Sequence, residues 1–271
     1  MSETSETNNG AAALSANAFG LVWNTSKEDL GAFWSRFQEH AFPSLQKLSA
    51  QGRVKAVMPF QHKPVRLEEA TDNEAWSVCV LVMLSGAEDA RRCAIDFLED
   101  SAAQAFFSAF RPDAVELMRL QENLDMFYPK NNALRSEPRL LQWLEYVFSD
   151  SQYRKEYYNT QYVFSGPAMR QMWLKNWAGR FLGFEITERI RHSGRLPEWD
   201  IIHISGFTPL QMANFLMFSR KEWDRQAKAC WGDSASGAEV MGRWEKQRVK
   251  IMPRAKQIMK STIQSTDLVD R

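Results

Sequence analysis

Cysteine is scarce, with Cys79, Cys93 and Cys230 the only three in 271 residues, widely spaced and set among apolar or helical neighbours. That excludes a disulfide framework and a Cys-rich metal site, and it fits a reducing cytoplasm. The four histidines are scattered too far apart to form a metal-ligand spacing. Net charge is nearly absent at +1, so there is no general electrostatic case for nucleic acid or an anionic membrane surface. No apolar run is long enough to span a bilayer. The N-terminal "MSETSETNNGAAALSANA" lacks both the basic start and the long apolar stretch of a signal peptide, so residues 1–17 read as a disordered leader. Also missing are a P-loop, a Gly-rich dinucleotide fingerprint after a strand, His-Glu-x-x-His and Cys-x-x-Cys. "GDSASG" falls short of a nucleophile elbow, because Ser236 stands where glycine is needed.

What is present is a globular composition, 44% hydrophobic and 12% aromatic. Apolar residues alternate from Phe19 to Trp23 as in a half-buried strand, and Ser26 with Asp29 makes a capping-box start for a helix. Leu30, Phe33, Trp34, Phe37, Ala41, Leu45 and Leu48 follow at helical spacing, and Gly52 ends that helix. "RVKAVMPFQH" predicts a strand with Val54, Ala56, Met58, Phe60 and His62 on one face. "WSVCVLVML" predicts a central strand, a helix is expected over about 87–110, and "AVELMRL" supplies a fourth strand. The order is β-α-β-β-α-β, the ferredoxin-like pattern.

After "YPKNNALRSEP" the order begins again, with strands in "LEYVF", "RFLGFEITERI" and "WDIIHIS" and helices before and after. Pro43 matches Pro167, Trp76 matches Trp199, Ser85-Gly86 matches Ser205-Gly206, and "RPDAVELMR" matches "MPRAKQIMK". Both prolines interrupt helical patterns, where a missing amide and a crowded turn bend or end the helix. The expected organisation is therefore α+β: a first ferredoxin-like module over 18–129, a linker over 130–141, and a second module over 142–271 with an insertion near 232–248. Each sheet would leave one apolar face to be covered, so the two are expected to pack sheet to sheet. The stretch from Arg220 to Lys260, with eleven Lys/Arg against five Asp/Glu, reads as the solvated side of long helices.

"LGAFWSRFQEHAFPSLQKL" resembles the first helix of the dimeric α+β barrel superfamily, particularly its EthD-like and RedY-like branches, and "EWDIIHI" is similar to a central strand of RedY-like proteins. The resemblance implies an intramolecular barrel of two modules and a small-molecule pocket between helices and sheet. It implies a tailoring enzyme, a cyclase, isomerase or oxygenase, working without a cofactor on a small hydrophobic, aromatic or polyketide-like metabolite. The superfamily's tandem members include haem enzymes, so a haem protein with an axial histidine is one alternative, and a non-catalytic carrier is another. The protein is expected to be a monomer or homodimer.

Candidate chemistry follows from polar residues on apolar faces. His40 lies three residues after Phe37 and seven after Phe33, on the buried side of its helix; it suits general acid-base work or a hydrogen-bonded core role. Its counterpart in the second module is Phe164. His62 and Glu188 occupy similar strand positions, Glu188 sharing a face with Phe184 and Ile186 by simple alternation, and either lines a pocket or points to water. His203 lies inside a convincing strand and needs a partner, for which Tyr146, Asp200 and Glu188 are candidates. His203, His40 and Tyr146 are the expected proton-transfer groups; Trp23, Phe37, His62, Phe164, Glu188 and Trp199 are expected to bind substrate.

Overall fold

The computed structural model describes residues 16–62, 77–85, 88–120, 140–150, 180–196 and 198–207 as continuous stretches, with isolated positions at 153 and between 221 and 258. Strand β1 (Ala18–Trp23) leads to helix α1 (Leu30–Arg36), a π-helical turn (Phe37–Ala41) and helix α2 (Phe42–Ala50). Strands β2 (Val54–His62) and β3 (Val78–Leu84), helices α3 (Ala90–Glu99) and α4 (Ser101–Ala109) and strand β4 (Ala114–Leu120) complete the first half. The second half contributes β5 (Leu140–Phe148), β6 (Arg180–His192), β7 (Ile201–Phe207) and two short strands, β8 (Arg248–Lys250) and β9 (Lys256–Ile258).

Strands of the first half lie in the order β4-β1-β3-β2, all antiparallel, which is the ferredoxin-like arrangement. The run Val78–Leu84 is apolar throughout because β3 is central and buried on both faces. In the second half β7 lies between β6 and β5, and β8 and β9 both pair with β5. Two seams join the halves, β4 with β6 and β2 with β9. The halves thus meet edge to edge at both seams, in addition to the contact between their inner faces. The pairings run β1-β3-β2-β9-β5-β7-β6-β4 and return to β1.

Two apolar clusters follow from this closure. On the helix side of the first half, Phe19, Leu21 and Trp23 pack with Phe33, Phe37, Phe97 and Phe106. On the inner side, Val22, Met58, Phe60, Leu81 and Met118 from the first half meet Phe184, Ile186, Trp199, Ile202 and Ile204 from the second. The need to cover each inner face is met by the other half, through curvature of one sheet.

Three local features depart from simple periodicity. Between α1 and α2 the buried residues Phe33, Phe37, Ala41 and Leu45 recur every four positions, which would drift around a 3.6-residue helix. The wider π-helical turn absorbs the drift, with the Phe42 N–H reaching the Phe37 carbonyl just ahead of Pro43, which has no N–H to donate. The helix expected over 87–110 is two helices, because Asp100 is extended (φ −61°, ψ 128°) and caps α4, accepting from the Ala102 N–H. In β2 a bulge between Val54 and Ala56 sends Val54 to the helix side while Ala56, Met58 and Phe60 face inward, so the predicted single face is broken.

Candidate active site

Alternation in β7 decides which side His203 faces. Ile202 and Ile204 belong to the inner cluster, so Ile201 and His203 face the opposite, outer side of the sheet. The register places Tyr146 opposite Ile201 and therefore diagonal to His203. Both side chains are buried, and their rings meet edge to face with centroids 5.3 Å apart and planes 60° apart. Asp200 pins the strands at this point: its N–H donates to the Tyr146 carbonyl at 2.8 Å, and its carboxylate accepts the Phe148 N–H at 2.9 Å.

On the other side of His203, the register partner in β6 is Gly183, which carries no side chain to crowd the imidazole. Glu185, opposite Ile201, is the diagonal neighbour, at a strand-to-strand offset of about 7–8 Å. Its carboxylate is 4% exposed and bound by Arg119 from β4, its register partner across the seam. A row of Tyr146, His203, Glu185 and Arg119 therefore crosses three strand pairings on one face. Such a row sets an imidazole, a phenol and a salt-bridged carboxylate on one face, group types that serve general acid-base chemistry and oxyanion stabilisation. Sequence reading missed Glu185 and Arg119. The available signal was "GFEIT", where Glu185 alternates with Phe184 and Ile186 and so belongs on the opposite face.

Other predicted residues lie elsewhere. Glu188 does not share the face of Phe184 and Ile186, because β6 bulges between the partners of Leu117 and Met118 and turns Glu188 to the helix side of the first half, where it pairs with Arg91 of α3. Trp23 and Phe37, 2% and 0% exposed, are core residues of the first half: the Trp23 ring packs on Phe33 and Phe106, and its indole N–H donates to the Phe110 carbonyl at 3.0 Å. Trp199 is wholly buried in the inner cluster, not on the His203 face. His40 sits in the π-helical turn, half-buried, 3.7 Å from the Glu39 carboxylate. His62 ends β2 and pairs through its backbone with Gln257, while its side chain and Phe164 lie outside the described residues.

Comparison with known proteins gives no protein-family profile that matches the chain and no matching curated protein. Among solved structures, an anthrone oxidase-like protein is similar at 9% identity and TM-score 0.47, covering 90% of each chain. A chlorite dismutase from Candidatus Nitrospira defluvii is similar at 10% identity and TM-score 0.46, covering 94% of each chain. A putative monooxygenase from Lactobacillus acidophilus NCFM is similar at 7% identity and TM-score 0.44, covering 90% of this chain and 93% of its own. These likenesses concern the fold alone. One expectation is corrected by them. Chlorite dismutases recur among the similar structures, and the expectation of a protein that works without a cofactor is not retained.

A haem would need a side chain to ligate its iron, and among the described histidines His203 is the one wholly within a strand, buried, with Gly183 across from it. Among the described residues no three His, Cys, Asp or Glu side chains gather as a metal-ion site. None of the described helices is long and apolar enough to cross a membrane.

Proposed function

We propose that the chain is a small-molecule tailoring enzyme built as two ferredoxin-like modules, 18–129 and 142–271, closed into one α+β barrel, with its reactive centre on the outer face of the second module's sheet. The observation that carries this reading is the buried contact between His203 and Tyr146 beside the side-chain-free position at Gly183. The substrate class is an aromatic or polyketide-like metabolite, and the reaction is cyclisation, isomerisation or oxygenation begun by proton removal from an acidic carbon or phenol. His203 takes that proton. Tyr146 donates to the oxygen on which charge develops, and the Glu185–Arg119 pair fixes the field beside the imidazole. His40 is the proton-transfer candidate of the first module.

The test begins with metabolites that co-purify with the native protein, identified by mass spectrometry and returned to it as substrates. His203→Ala is expected to lower turnover by about 10²- to 10⁴-fold, the usual contribution of general acid-base catalysis. Unchanged turnover in His203→Ala overturns the assignment, and a metabolite recovered unaltered after long incubation identifies a carrier. His40→Ala reports whether the first module has a working site of its own.

The position of His203 favours a second reading, a haem enzyme with that imidazole as axial ligand. A haem would supply redox chemistry at its iron, with Tyr146 and the Glu185–Arg119 pair flanking the ligand histidine. A Soret band on haem addition that disappears in His203→Ala supports it; no band in the native protein removes it.

A further inference from the structure

Strand alternation would put Trp199 on the same outer face as Ile201 and His203. Instead its ring is wholly buried in the inner cluster. The chain therefore reverses its facing between Trp199 and Ile201, and Asp200 is the residue at the reversal. How that step is held decides which way the start of β7 faces.

Asp200 is bound to both neighbouring strands. Towards β6 its carbonyl accepts the Ile186 N–H at 2.9 Å, in step with the register that sets Glu185 opposite Ile201. Towards β5 the ladder shifts by one residue. Ile201 is the register partner of Tyr146, yet the Asp200 N–H also goes to Tyr146, donating to its carbonyl at 2.8 Å. Two successive residues thus oppose one, which is a bulge, and a bulge re-aims the side chains beside it. Two residues along β5 the Asp200 side chain takes over, its carboxylate accepting the Phe148 N–H at 2.9 Å. The residue before the step is held as well. Arg189, the register partner of Glu116 with its Nε 3.3 Å from that carboxylate, donates to the Trp199 carbonyl.

The register held here is the one that brings Tyr146 to His203. A slip of one residue between β5 and β7 would turn the Tyr146 ring to the inner face. A slip of two would keep its face and carry it about 7 Å along the strand. Any residue with an N–H could make the backbone bonds of Asp200; the bond to Phe148 needs this side chain.

We propose that Asp200 is the positioning residue of the His203 centre: by accepting the Phe148 N–H, its side chain fixes the bulge and so holds Tyr146 against the imidazole. The proposal rests on the reading of His203 and Tyr146 as the reactive pair, but their contact can be measured without a substrate.

The test uses the full-length protein with ¹³C-labelled aromatic rings. A nuclear Overhauser cross-peak between the Tyr146 and His203 rings is assigned with Tyr146→Phe and His203→Gln. Asp200→Asn keeps an oxygen acceptor and is expected to keep the peak. Asp200→Ala is expected to lose it, while the peaks among Phe33, Phe37 and Phe106 stay as they are. A folded Asp200→Ala variant with the native peak overturns the proposal, as does its loss in Asp200→Asn. If Asp200→Ala fails to fold, Asp200→Asn decides alone. A native peak with a Phe148 amide that exchanges as slowly as in the native protein supports the role, and loss of either overturns it. With a substrate in hand, Asp200→Ala should lower kcat about 10²-fold with little change in KM, and Asp200→Asn should recover most of that loss. Native turnover in an Asp200→Ala variant that has lost the peak would overturn the reading of Tyr146 as a reactive group, and leave the positioning role standing.

Discussion

On the outer face of the sheet the first half of the chain is filled with rings, whereas among the described residues the same face of the second half carries an imidazole, a phenol and a carboxylate. Phe33 alone packs against Trp23, Trp34, Phe37, Phe106 and Phe110, mostly edge to face. Such packing leaves no side of these rings for a ligand, and it makes this region the stable base of the molecule. In the second half, burial of His203, Tyr146 and Glu185 adds less to stability, since each polar atom must be matched to offset its lost hydration. The difference teaches where to look for chemistry: among the described residues, hydrocarbon fills this face in the first half and titratable groups stand on it in the second.

The contrast is sharpest when one side chain is removed from each region. Phe106→Ala is expected to lower the unfolding free energy by about 4 kcal/mol in urea titrations, as for other large-to-small aromatic changes. Tyr146→Phe, which deletes only a hydroxyl, should cost about 1 kcal/mol or less and act mainly on turnover. If the two losses were equal, the division into a stabilising face and a reactive face would fail.

The seam between the halves can be broken more selectively. Arg189→Met leaves the wholly buried Glu116 carboxylate without its guanidinium and is expected to cost about 3 kcal/mol. Adding Glu116→Leu should restore most of that loss, because two apolar groups replace a pair whose desolvation is expensive. A double variant no more stable than Arg189→Met alone would show that Glu116 contributes nothing to the seam.

The smallest expected effect lies at the break between α3 and α4. Asp100→Ala removes a cap and should cost about 1 kcal/mol. The hydrogen bond from Ser44 (2.6 Å), with help from backbone amides and Lys47, holds the Asp100 carboxyl below its ordinary value. A lowered folded value means that this contribution is present above the unfolded value of about 3.9 and is lost as pH falls through the folded one. Thermal unfolding of the native protein between pH 5 and acid should therefore lose more stability than Asp100→Ala does over the same range. Parallel profiles would remove the carboxylate from the account.

Much of this was legible in the sequence because hydrophobic periodicity reports strands well. The order of elements in the first half, the central position of Val78–Leu84 and the pairing of Tyr146 with His203 all follow from alternation and apolar runs. What escaped were the irregularities. A bulge inserts one residue and reverses every later side chain, and nothing in "GFEITERIRH" marks Thr187 or Ile190 as the inserted position, so Glu188 was placed on the wrong face. Asp100 escaped because a helix-to-helix break with no glycine or proline leaves little trace in composition. Trp23 and Phe37 were assigned to ligand binding because an aromatic on an apolar face looks the same whether it lines a cavity or fills one.

The circuit of strands has one more outcome, which concerns other copies of the chain. Each of the eight strands in the ring has a neighbour on both sides, but the two seams differ in length: β4 and β6 pair from Ala114 to Leu120, whereas among the described residues β9 meets β2 only at Gln61 and His62. Strand addition by another copy of the chain would therefore meet a matched ladder at the long seam, and would find fewer backbone partners already taken at the short one.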